Sequence, residues 1–324
     1  MKNRKTWFWF MIALSPLVIA LSVFLGEGWK HPFLLLSPER EGILTLRLWR
    51  VALGALVGSS LSVSGVLLQA VLRNPLAEPY VLGLSAGAGL GTALCIVSGG
   101  LFFASYLQPV SGFVGAMVSL LVVYLLARVG GRTSPHTLIL AGVIWGSLCA
   151  SLLMFMVSQS TAEGLHAVMW WFLGDLQVMD VKLVRVVALL CGMVFLALSY
   201  FARDINVLML GDEAAGHVGL NPERMKLLLL SMAAILTASS VCISGLIAFV
   251  GLTVPHAVRS LVGPDHRRLL PAAALCGAAF LVVADGIGRT LLFPIEVPVG
   301  VLTSLVGAPF FLLLLKGRQK EMWR

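Results

Sequence analysis

A chain of 324 residues that is 59% hydrophobic and 12% charged, with a mean hydropathy of +0.96, is too apolar to be one water-soluble core; soluble domains carry roughly 25% charged residues. The net charge of +8 does not point to nucleic acid, because the lysines and arginines sit between apolar runs and form no basic stripe with interleaved aromatics. No compositional break marks a second domain, so residues 1–324 read as one all-α integral membrane domain.

Crossing a bilayer takes about 20 apolar residues. The run from Trp7 to Leu25 follows Lys2, Arg4 and Lys5 and has no small-residue cleavage site behind it, so it reads as a retained first span. Further apolar runs predict spans near 50–72, 80–98, 108–127, 137–158, 183–201, 226–244, 246–261, 270–291 and 298–315, about ten in all. An even count places both termini on one face. That face collects 16 of the 23 lysines and arginines, which makes it the cytoplasmic one. In "VLGLSAGAGLG", Gly83, Gly87 and Gly91 are spaced four apart, a stripe on one helical face that lets helices pack closely. They lack the spacing of a dinucleotide fingerprint.

Residues 203–226 break the oily pattern. Arg203, Asp204, Asp212, Glu213, Glu223, Arg224 and Lys226 crowd into a chain that is nearly uncharged on either side. Gly211, Gly216, Gly219 and the Asn221-Pro222 pair divide the stretch, and Leu208, Leu210, Ala214, Ala215, Val218 and Leu220 give two short helical turns an apolar side. Pattern alone leaves three readings open: a solvated loop, a segment lying on lipid, or a docking surface for a soluble partner. The five cysteines fall in separate apolar runs without metal or redox spacing. The chain holds no phosphate loop, H-E-x-x-H or G-x-S-x-G motif, so no catalytic, metal or ATP-hydrolysing set is expected. The scattered histidines read as loop or interfacial residues, with His166 the alternative candidate for a substrate contact. Asp285 and Arg289, one turn apart, read either as an i,i+4 pair or as a polar contact at a pore mouth or docking face. Carboxylates deep in the spans are nearly lacking, which argues against a proton-coupled carrier.

Taken in order, "LRLWR", "RNPLAEPY", "VLGLSAGAGLG", "LILAGV", "GLIAFVGLTVPHAVR", "GPDHRRLLP", "VADGIGR" and "PVGVLTSLVGAPFFLLLL" resemble the permease subunit of ATP-driven importers for iron-siderophore complexes, haem and cobalamin (the FecCD/BtuC-like iron-chelate and cobalamin permease family). The resemblance is collinear over residues 40–315. It implies type II importer architecture: a ten-span subunit, a homodimer around a central path, two separate ATPase subunits carrying ATP and Mg, and a periplasmic or lipid-anchored binding protein. It assigns ATPase coupling to Leu210, Gly211, Asp212, Glu213, Ala214, Ala215, Gly216, His217, Val218, Gly219 and Leu220 within segment 203–226. It further assigns binding-protein docking to Arg47, Arg50 and Arg289, and a cytoplasmic gate to Asn74, Leu76, Thr133 and Ser134. The path is lined mainly by His136–Ser158. Trp49 departs from the family, where proline is usual. The expected function is import of a metal chelate through the inner membrane, siderophore-iron first and cobalamin or haem next, with no chemistry and no cofactor on this chain. The rival reading is a self-sufficient secondary transporter or channel.

Overall fold

The computed structural model describes residues 2–25, 41–98, 104–177 and 180–322. Among these the helices are α1 (Lys2–Ser22), α2 (Glu41–Val71), α3 (Leu84–Val97), α4 (Ala104–Ala127), α5 (Pro135–Ser158), α6 (Ala162–Leu173), α7 (Val181–Leu208), α8 (Asp212–His217), α9 (Pro222–Ser244), α10 (Val250–Val262), α11 (His266–Leu291) and α12 (Val299–Met322). A 3-10 turn, Pro79–Leu82, precedes α3, and an antiparallel hairpin of β1 (Arg128–Val129) and β2 (Arg132–Thr133) joins α4 to α5. Every expected apolar run falls on one of α1–α5, α7 or α9–α12. Seven described helices (α1, α2, α4, α5, α7, α9 and α11) are long and apolar enough to cross a membrane. The apolar stretches in α3 and α12 are shorter, and α10 has 13 residues.

Some edges and one element differ from the sequence reading. The second run was expected from residue 50, but α2 begins at Glu41, since backbone hydrogen bonding continues through charges that a hydropathy window rejects. No apolar run was expected to span between 158 and 183, yet this stretch contains α6. Twelve residues are too few to cross a bilayer, but Thr161 starts the helix by accepting the Gly164 N–H at 3.2 Å. Trp49 continues α2, with the Arg185 guanidinium 5.5 Å from its ring centroid.

Burial orders the bundle. The apolar windows of α2 and α9 are 78% and 72% buried against 11% for α1 and 22% for α5, so α2 and α9 form the centre. Close approach rather than bulk packs α2: a Cβ on Gly58 would collide with the backbone of Gly277 on α11, and one on Gly65 with the backbone of Gly251 on α10. Gly87 and Gly91 face Gly115 and Ser111 of α4 in the same way. Gly83 does not share their face. It precedes α3 at φ +74° and looks toward Gly142 on α5, so the stripe has two members on the helix, not three.

Two of the non-helical segments, 74–78 and 245–248, are held against other parts of the bundle. In a membrane such backbone must be satisfied by protein. The Tyr80 hydroxyl donates to Ile247 O at 3.0 Å and accepts the Ile247 N–H at 3.3 Å. The Glu78 carboxylate accepts the Phe249 N–H at 2.7 Å, and Trp171 O accepts that of Leu246 at 3.3 Å.

Gly65→Ala forces α2 from α10 and should cost about 1–3 kcal/mol by overpacking. Gly192→Ala, where a Cβ meets nothing within 4 Å, is the control. Thermal melting in detergent should separate them; equal melting of the two variants would refute the close contact.

Candidate functional site

The site is built where α7 turns into α8 and α9. Six residues cannot hold a helix alone, so α8 needs anchors. Ala215 is fully buried, and its carbonyl accepts the Leu220 N–H at 3.0 Å. Asn221 then caps α9 by accepting the Arg224 N–H at 3.1 Å.

The strongest anchor is ionic. Lys226, in the first turn of α9, has a side chain only 4% exposed. Its Nζ donates to Asp212 Oδ2 at 2.7 Å, Glu223 Oε1 at 2.9 Å and Thr133 O at 3.0 Å, which uses all three ammonium protons. The other oxygen of Glu223 accepts the Thr133 N–H at 2.9 Å and the Thr133 hydroxyl at 2.7 Å. The other oxygen of Asp212 pairs with the Arg73 guanidinium, which also donates to Leu208 O at 3.1 Å. Burial pushes the Asp212 carboxyl up, but Lys226 and Arg73 together outweigh it and hold the group below its ordinary range.

This network gathers positions expected to do two different jobs. Gly130 and Gly131, at φ +59° and +80°, make the two-residue turn that such hairpins favour, and the turn delivers Thr133 to Lys226. Ser134 caps α5 by accepting the Thr137 N–H at 3.2 Å. Arg73 directly precedes Asn74, whose Oδ1 accepts the Leu76 N–H at 3.0 Å. Among the described residues no hydrogen bond joins Asn74 or Leu76 to Thr133 or Ser134. The connection runs instead from Arg73 through Asp212 and Lys226 to Thr133. The eleven residues 210–220 also divide. Asp212 is exposed but engaged by Lys226 and Arg73, Ala215 is buried, and Gly211, Ala214 and Leu220 are half-buried, while Leu210 and Val218 are 74% and 73% exposed beside Glu213, Gly216, His217 and Gly219. Sequence reasoning missed Arg73, Glu223 and Lys226 as a unit; only the i,i+3 spacing of Glu223 and Lys226 signalled a pair.

At the opposite end of the bundle the arginines are not the hydrated surface charges expected of a docking rim. Arg50 binds Asp285 at 2.8 Å and Glu296 at 2.9 Å, and Arg289 lies 3.0 Å from Asp285 with its side chain 7% exposed. Arg47, one turn before Arg50, is half-buried. Asp285 is too buried to stand alone, so it draws both arginines into the bundle. His166 lies on α6, accepting the Trp170 indole N–H at 2.8 Å.

Seven described helices long and apolar enough to cross a membrane, with a short charged helix tethered to one end, define a multi-pass membrane protein. The family model of the FecCD transport family matches residues 8–317, and the chain belongs to that family. It is 43% identical over 287 residues to the cobalamin import system permease protein BtuC of Halobacterium salinarum, covering 87% of this chain and 76% of that protein. It is 42% identical to the hemin transport system permease protein HmuU of Yersinia pestis, covering 86% and 84%. A solved structure described as an inward-facing metal-chelate type ABC transporter superposes with a TM-score of 0.84 at 29% identity, over 97% of this chain and 99% of that one. The chain is a transport subunit and not an enzyme; ATP hydrolysis belongs to a separate subunit.

Lys226→Met leaves Asp212 and Glu223 without their shared cation and should cost about 3 kcal/mol, the loss typical of a broken buried pair. Because the Asp212 pKa is depressed, the ion pairs' contribution is full above the ordinary carboxylate value of about 4 and disappears as pH falls through the lower folded value. Melting curves should therefore show an acid-dependent loss in the wild type that is smaller in Lys226→Met. Parallel pH profiles would remove Asp212 from the account.

Proposed function

We propose that this chain is the ten-span subunit of an importer that moves a metal chelate across the inner membrane, with both termini in the cytoplasm and a second copy of the chain completing the path. Two ATPase subunits, carrying ATP and Mg, seat against α8. A periplasmic or lipid-anchored binding protein delivers cargo at the other end. The observation that carries the reading is the division of segment 210–218 into unengaged exposed residues, Leu210, Glu213, Gly216, His217 and Val218, and a carboxylate at Asp212 tied to Arg73 and Lys226. Closure of the ATPases displaces the outward face. Asp212 passes that displacement through Lys226 to Thr133 and Ser134, and through Arg73 to Asn74 and Leu76, the proposed gate. The mostly exposed α5 lines the path. A self-sufficient carrier gives no reason for a tethered surface helix with exposed leucine and valine.

At the outer end, half-buried Arg47 meets an acidic residue on the binding protein. Arg50 and Arg289 take part by exchanging Asp285 or Glu296 for an incoming carboxylate, which couples docking to loosening of α2 from α11. The cargo is siderophore-iron, cobalamin or haem. The relatives at 43% and 42% identity are named for cobalamin and hemin, which supports those two over siderophore-iron.

Glu213→Lys combined with Gly216→Trp alters only the outward face. The variant should insert normally and no longer co-purify with its ATPase, and a stable, ATP-hydrolysing complex would overturn the docking assignment. For topology, single cysteines at Gln159 and His217 in a cysteine-free background should label from opposite sides with an impermeant thiol reagent. Labelling from one side would refute the span count between them.

A further inference from the structure

At the α8 end of the bundle a groove of about 390 Å³ opens between α7 and α11. Its walls are apolar, with Phe195 and Leu198 on one side, Ala274 and Leu275 on the other, and Val63 of α2 as the floor. Leu196 and Tyr200 beside it on α7 are 76% and 80% exposed, so this face of the bundle meets lipid. Charge gathers at the mouth. Arg267 lines it, with Nε and Nη2 on Asp265 and Nη1 left over. Exposed Arg203 stands one turn beyond the lining residue Ser199 on the same stripe of α7. The acidic groups near the mouth are Asp265, already engaged by Arg267 and Asn206, and Asp204, beside Arg203 on α7.

The groove also contains an unmet acceptor. His266 lines it, is 2% exposed, and has no partner for Nε2. The tautomer follows from its neighbour. Asn206 Nδ2 donates to Asp265 Oδ1 at 2.8 Å and its Oδ1 accepts the His266 N–H at 3.0 Å, which fixes the amide orientation. His266 Nδ1, 2.7 Å from the same Oδ1, must then be the donor, and Nε2 keeps a lone pair. A buried acceptor without a donor is costly.

We propose that this groove binds an anionic phospholipid with a hydroxyl-bearing headgroup. An acyl chain fills the apolar channel, the phosphate diester lies between Arg203 and Arg267, and a headgroup hydroxyl donates to His266 Nε2. Basic pockets between spans on the cytoplasmic side suit such headgroups; placing the lipid in that leaflet rests on the topology proposed above. The clasp from Asn206 to His266 sits at the end of α7 that leads into α8, so the bound lipid braces the base of the coupling helix.

The test is native mass spectrometry of the purified chain in mild detergent with phosphatidylglycerol and phosphatidylcholine of matched acyl chains, and with inorganic phosphate in a separate arm. The wild type should retain phosphatidylglycerol preferentially, and Arg203→Ala should cut that preference about fivefold, the size of one basic contact with an anionic leaflet. Ala274→Trp, which fills the channel, should abolish it, and Ser199→Trp repeats the test from the opposite wall should the first variant fail to melt cooperatively. Equal retention of the two lipids, or a preference unchanged in a folded channel-filled variant, overturns the proposal. So does full displacement by inorganic phosphate, which would leave a simple anion site. The measurement uses neither ATPase nor cargo, so its failure leaves the transport reading intact, and a wrong leaflet is caught by the labelling at Gln159 and His217.

Discussion

The ammonium group of Lys226 must keep its charge in a place where water barely reaches it. An isolated cation there would cost several kcal/mol, so the chain surrounds it with two carboxylates and a carbonyl from three separate segments. Much at this end of the bundle follows from meeting that demand. Asp212 is tied to the ammonium group, which holds a helix too short to persist alone. Thr133 is pulled toward α9, which fixes the hairpin between α4 and α5. Arg73 completes the valence of Asp212 and brings the start of the α2–α3 connection along. One buried charge thereby ties together four stretches that are far apart in sequence.

The middle of the bundle answers a different constraint with different residues. Lipid offers helices no hydrophobic reason to associate, so contact comes from close approach. Gly58 against Gly277 and Gly65 against Gly251 bring α2 within backbone reach of α11 and α10. Where the chain unwinds, the freed amides are met by Tyr80, Glu78 and Trp171. Charge is therefore concentrated at the two ends: Lys226 and its partners at one, and Arg50, Asp285, Arg289 and Glu296 at the other. Motion between spans meets few ionic links on the way.

The helices were legible because a bilayer demands long apolar runs, and such runs survive any choice of partner. Their edges were not, since α2 carries its hydrogen bonding through Arg47 and Arg50, and α6 is shorter than any crossing. The family motifs led to the right family, and the polar stretch 203–226 announced itself by contrast. What the sequence withheld was pairing. Arg50 was countable as a positive charge, but Asp285 and Glu296 become its partners only when α2 lies on α11, whereas the Asp285–Arg289 pair, one turn apart on α11, could be read from spacing. Lys226 looked like one charge among seven because Thr133 lies 93 positions away. The glycine stripe misled at Gly83 because spacing by four says nothing about where a helix begins.

The two sides of α8 answer to different masters. Asp212 is committed to Arg73 and Lys226 within the chain, whereas the exposed side chains of Leu210, Glu213, His217 and Val218 make no side-chain hydrogen bond or ion pair among the described residues. On the docking proposed for α8, the outward set is free to drift with the motor protein it meets, without disturbing the linkage behind it. Such a division makes the subunit modular. Grafting those outward side chains from a related permease should retarget it to a foreign motor while the inherited transmission stays in place, and related importers within one cell would keep their motors apart by the same few surface positions.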